Sequence, residues 1–320
     1  MHPYTGRASQ LTRIKEYLQA PWRSEKMKKT KAIVLGIAFL LVFSISSVFT
    51  SAWGRSNQIS FNFSFANKWG TYQATAYYAQ GTQNAPVVLF LHGLDANKDW
   101  YQWMIAPYLG AGYVLVMFNI PSKWAMQNLL SSLNINLPSK LTAQVSQSNQ
   151  PQFGPFVDGF SPCIDSLSNL KQLSGVIDLT RIAATGHSAG GLGAMVAATQ
   201  DSRIKAVVAL SPPIYASGLP HPTTFSVPVE LQVGSNEGAL YTGLVSYYNN
   251  ELTANPKQLV VIQGGNHIQF MDANIVALIN LLANNGFTIP YVGNEPSGIS
   301  TQAQHEISSQ AFLSFLNANL

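Results

Sequence analysis

From residue 55 onward, short runs of β-type residues alternate with longer stretches of helical spacing. Ile59–Phe65 places Phe61, Phe63 and Phe65 at every second position, and Thr71–Tyr78 is rich in Thr and Tyr; both predict antiparallel edge strands. Pro86–Leu91 (PVVLFL) and Tyr113–Phe118 (YVLVMF) are unbroken apolar runs, as expected of strands covered on both faces, with Asp99–Leu109 as the crossover helix. Ile164, Leu167, Leu170 and Leu173 recur every three residues and predict a helix. Strand Arg181–Thr185, helix Ala189–Thr199 and strands Lys205–Leu210, Val227–Val233 and Gln258–Ile262 follow, and Ile307, Ala311, Phe312, Phe315 and Leu316 mark a closing helix. Alternation of this kind predicts an α/β fold with a mostly parallel central sheet and helices on both faces. Pro121 to Pro162, rich in Ser, Gln, Asn and Pro, breaks the rhythm and predicts loops or a small cap over the C-terminal strand edge; residues 286–304 read as another long loop.

The first 54 residues follow a different pattern. Residues 1–31 hold eight of the 18 Lys and Arg against two acids, a net of +6, and residues 32–54 carry no charge. The apolar run Ala32–Phe49 behind Lys28, Lys29 and Lys31 predicts a transmembrane signal anchor or a cleaved signal peptide, which places residues 55–320 outside the cytoplasm. Met27 opens an ordinary signal-peptide layout, so residues 1–26 are read as a possible over-extension of the gene. Three parts result: a basic tail over 1–31, a hydrophobic segment over 32–54 and a catalytic domain over 55–320. That domain holds ten bases against twelve acids, so the overall charge of +4 belongs to the tail and nucleic-acid binding is not expected. A single cysteine, Cys163, excludes an intramolecular disulfide and multi-cysteine metal sites. Only 10% of the chain is charged, which leaves few ionised carboxylates to lose in an acidic exterior.

The sharpest chemical signal is Gly186-His187-Ser188-Ala189-Gly190-Gly191, a G-x-S-x-G pattern between a predicted strand and a predicted helix. A nucleophile on such a turn sits in strained backbone, and Gly186 and Gly190 remove the Cβ clashes of the tight turn. Ser188 is therefore the expected nucleophile. A serine hydroxyl needs a base, and His267, in the glycine-loosened loop after the last predicted strand, fits that role. The base needs an acid to fix its tautomer. Glu237, in the loop after VPVELQV, is the candidate; Glu230 lies inside the strand, and Asp272 is a rival at a helix start. Two N–H donors for an oxyanion are expected from Ala189 and from Leu94 after His92-Gly93, with His92 orienting that loop. His187 is expected to turn its side chain away from the elbow. Trp100, Tyr101 and Trp103 are read either as pocket walls or as helix core.

The order Ser188…Glu237…His267 resembles that of the α/β-hydrolase superfamily. DLTRIAATGHSAGGLGAMVAATQDSRIKAVVALSPP is similar to the branch of dienelactone hydrolases, chlorophyllases and polyester-cleaving cutinases. The resemblance implies a serine hydrolase acting on small or polymeric carboxylic esters with no metal or organic cofactor. The chain departs from the branch in using Glu where most members use Asp, and in lacking a second cysteine. A serine peptidase on the same fold and a catalytically silent surface binding protein are the alternative functions.

Overall fold

The computed structural model describes residues 57–94, 96–122, 124, 153–284 and 296–320. The basic tail, the hydrophobic segment 32–54 and most of the expected cap lie outside these residues. β1 (Gln58–Asn67) and β2 (Gly70–Ala79) form an antiparallel hairpin, and β2 pairs antiparallel with β4 (Val114–Phe118). All other pairings are parallel, through β3 (Ala85–Leu91), β5 (Ile177–His187), β6 (Ile204–Leu210), β7 (Val229–Gly234) and β8 (Lys257–Ile262). The sheet order is β1-β2-β4-β3-β5-β6-β7-β8. β2 is thus paired on both sides, and only β1 of the predicted edge pair is an edge.

Successive side chains on each strand enter opposite cores, as the two-residue period requires. Val87, Leu89 and Leu91 of β3 face one core, and Val88 and Phe90 face the other. The first core is closed by α2 (Gly154–Val157), α3 (Phe160–Leu167), α4 (Ala189–Gln200) and α5 (Ala239–Asn250). The second is closed by α1 (Ile105–Gly110), α6 (Ala273–Asn284) and α7 (Thr301–Asn319). Covering both faces explains why the central strands read as unbroken apolar runs rather than alternating ones.

Several boundaries differ from expectation. The crossover is two 3₁₀ turns, Lys98–Trp100 and Gln102–Met104, followed by α1. Pro107 lacks an N–H and fits only the first turn of a helix, so α1 starts at Ile105. The Ile164–Leu173 stripe is helical only to Leu167, with Leu173 in a separate 3₁₀ turn. The end of the expected cap is helical, as α2 and the start of α3, and α7 begins at Thr301, inside the expected loop 286–304. Among the described residues no helix is long and apolar enough to cross a membrane.

Candidate active site

Ser188 links β5 to α4 with φ 55° and ψ −122°, a conformation non-glycine residues rarely adopt. Its N–H donates to Leu210 O at 2.7 Å, which ties the strained turn to the end of β6. A Cβ on Gly186 would stand 2.4 Å from Gly190 C, and one on Gly190 would stand 2.1 Å from Leu91 O. Both glycines are therefore demanded by backbone-on-backbone packing. Ser188 is partly exposed, and its hydroxyl has no hydrogen-bond partner among the described residues.

His267 and Glu237 meet across loops that follow β8 and β7. His267 Nδ1 donates to Glu237 Oε2 at 2.8 Å, with both side chains nearly buried. Glu237 Oε1 accepts from Ser211 Oγ and from Gly234 N, each at 2.6 Å. The carboxylate is thus held at both oxygens. It fixes the His267 proton on Nδ1 and leaves Nε2 with a free lone pair. Ser211 is itself a non-glycine residue with positive φ, 46°, at the end of β6. The two loops are joined backbone to backbone: Asn236 N donates to Gly265 O at 2.9 Å, and a Cβ on Gly234 would stand 2.3 Å from Gly265 O. From below, Gln304 of α7 accepts from Asn266 N at 3.0 Å and donates to Asn266 O at 2.9 Å.

The His92–Leu94 loop lies against the serine: a Cβ on Gly93 would approach Ser188 Cβ to 3.1 Å. Ile120 N–H donates to His92 Nε2 at 3.3 Å, so the ring carries its proton on Nδ1 and donates to Gly93 O at 2.7 Å. Burial lowers the His92 pKa to about 4, so the ring is neutral. Gly93 O belongs to the same peptide unit as Leu94 N–H, and the two point in opposite directions across a trans peptide. By holding the carbonyl, His92 sets the direction of the Leu94 N–H. That group makes no hydrogen bond among the described residues. Ala189 N–H, at the first position of α4, has no helical acceptor either.

A family model described as PET hydrolase-like matches residues 162–284, which include Ser188, Glu237 and His267. A ferulic acid esterase from Streptomyces cinnamoneus superposes with a TM-score of 0.57 at 12% identity, covering 85% of this chain and 92% of its own. A dienelactone hydrolase from Anabaena variabilis ATCC 29413 gives 0.52 at 16% identity, covering 81% of this chain and 99% of its own. The chain folds as an α/β-hydrolase. No curated protein matches its sequence.

The other acids named above serve the frame. Asp272 accepts from Gln102 N at 3.1 Å and Trp103 N at 3.0 Å, which ties α6 to the crossover, and burial raises its pKa to about 6. Glu230 is buried within β7. The His187 ring packs against the His267 loop. The two ring centroids are 4.5 Å apart. Trp100 and Tyr101 are core residues. Trp103 stacks on His305 with centroids 4.1 Å apart and donates to Phe270 O. Ser211, Tyr101 and Gln304 support the site without any sequence motif to mark them. A cavity of about 560 Å³, lined by Arg181, Lys205, Val227 and Asn319 among others, lies at the opposite, N-terminal ends of the strands, away from these groups.

Proposed function

We propose that the chain is an extracytoplasmic serine hydrolase that cleaves carboxylic esters, with residues 32–54 as its export signal or membrane anchor. Ser188 Oγ gives its proton to His267 Nε2 and attacks the acyl carbon. Glu237 stabilises the imidazolium that forms. Leu94 and Ala189 N–H groups receive the negative oxygen of the tetrahedral intermediate. Collapse expels the alcohol, which takes the proton from His267, and leaves an acyl-enzyme. Water, deprotonated by His267, then attacks the acyl carbon, the bond from that carbon to Ser188 Oγ breaks as Oγ takes the proton back from His267, and the acid leaves.

One observation supports this reading above the rest. A buried carboxylate–imidazole pair, on the loops after β7 and β8, and a serine held at positive φ after β5 all leave the C-terminal ends of parallel strands of one sheet. The family match and the esterase and dienelactone hydrolase neighbours agree with ester or lactone cleavage. The test is turnover of short p-nitrophenyl esters by the wild type and by Ser188→Ala. The reading expects turnover to vanish in the variant, and equal rates in both proteins would falsify it.

A further inference from the structure

Tyr101 is fully buried in the crossover, yet its hydroxyl carries two polar contacts. It accepts from Gly93 N–H at 3.3 Å and lies 2.9 Å from His187 Nδ1. Gly93 N–H donates to this oxygen and no other acceptor for the hydroxyl proton stands among the described residues, so the hydroxyl donates to Nδ1. His187 is then a neutral ring protonated on Nε2. Its ring stands 4.5 Å from that of His267 and 5.4 Å from that of Phe270. One oxygen atom thus joins the loop that carries Leu94 N–H to the ring against which His267 packs.

The same oxygen completes the fixing of Gly93. The peptide unit after Gly93 is held through its carbonyl by His92 Nδ1 and by Ala96 N–H. The unit before it is held through its N–H by Tyr101 alone among the described residues. A glycine between two anchored peptide units has no freedom left to turn, and the Leu94 N–H direction follows. We propose that Tyr101 is a positioning residue for the oxyanion loop and for the His187–His267 contact, an inference that rests on the serine hydrolase reading above. Burial raises its pKa, so the hydroxyl remains a donor throughout the working range.

The experiment compares three variants on a p-nitrophenyl ester. Ser188→Ala first establishes the underlying reading by abolishing turnover. Tyr101→Phe removes one oxygen atom and should lower kcat by about tenfold or more, with KM changed less than about twofold, because the loop acts on the transition state. Tyr113→Phe is the control. Its hydroxyl donates to Asn317 at 2.7 Å on the same side of the sheet, remote from the loop, and its loss should lower Tm without lowering kcat. Unchanged kcat in Tyr101→Phe, or an equal loss in Tyr113→Phe, overturns the proposal while leaving the role of Ser188 standing. Amide exchange on the wild type gives an answer even if Tyr101→Phe does not fold. The Gly93 amide should exchange slowly and the Leu94 amide quickly, and a fast Gly93 amide overturns the proposal.

Discussion

Glu230→Gln should make the protein more stable above neutral pH and leave it nearly unchanged in acid. Glu230 is fully buried in β7, beside Val208 of β6. Its Oε1 accepts from Gln232 at 2.7 Å, and its Oε2 has no partner among the described residues. Burial raises its pKa from 4.5 to about 7. The native protein therefore keeps this proton between pH 4.5 and 7, where the unfolded chain gives it up. The stability this group contributes is fully present below pH 4.5 and is lost as the pH rises through about 7. At about 1.4 kcal/mol per pH unit the loss amounts to about 3 kcal/mol at pH 8. Glutamine keeps the shape and has no proton to lose. The assay is urea or thermal unfolding of both proteins at pH 4, 6 and 8. The variant should gain about 3 kcal/mol over the wild type at pH 8, roughly 6–12 °C in Tm for a domain of this size, and close to nothing at pH 4. A difference that stays the same across the three pH values would refute the reasoning.

Glu237→Gln should keep the fold and lower kcat by about 10²–10⁴-fold, since an amide can donate toward His267 Nδ1 and favour the wrong tautomer; steady-state kinetics on a p-nitrophenyl ester checks it. Gly190→Ala should yield little folded protein, because its Cβ would lie 2.1 Å from Leu91 O, and soluble yield with circular dichroism measures this. Gln304→Ala removes the α7 partner of the Asn266 C=O and leaves its N–H with the 3.3 Å bond to Gln269, a cost of about 1–3 kcal/mol, and should lower kcat through the His267 loop more than it raises KM. Acid should also weaken the fold. Burial holds His92 and His305 near pKa 4 and His187 well below 6.5. Stability present above pH 6.5 is therefore lost as the pH falls through 4, and a urea series at pH 7, 5 and 4 should show progressively lower midpoints.

Those histidines bear on the low charge of the chain. Glu230 and Asp272 favour acid, as a domain with few carboxylates would, but the buried neutral imidazoles oppose them. Composition alone does not reveal that opposition, because it depends on which of six histidines end up without water.

The catalytic candidates were legible because each stands next to its own strand in the chain. Ser188 follows β5, Glu237 follows β7 and His267 follows β8, so strand order and loop position mark them. His92 and Gly93 follow β3 in the same way. Tyr101, Ser211 and Gln304 were not legible. Tyr101 reaches His187 across 86 residues, Gln304 reaches Asn266 across 38, and Ser211 reaches Glu237 across 26. No local period encodes such contacts; they appear only once the loops at the sheet edge are packed. The helix α5 was missed for a related reason. Its apolar face is thin, with Leu244 and Tyr247 as its buried residues, and its entry rests on Gly238 at φ 56°.

Covalent labelling with a fluorophosphonate probes the central claim most directly, because it needs the nucleophile and its base together. Peptide mapping after labelling should find a single adduct on Ser188. The adduct should be absent in Ser188→Ala and should form at least about 100-fold more slowly in His267→Ala, as loss of a general base requires. An adduct on another residue, or an unlabelled protein that still hydrolyses esters, would contradict the account.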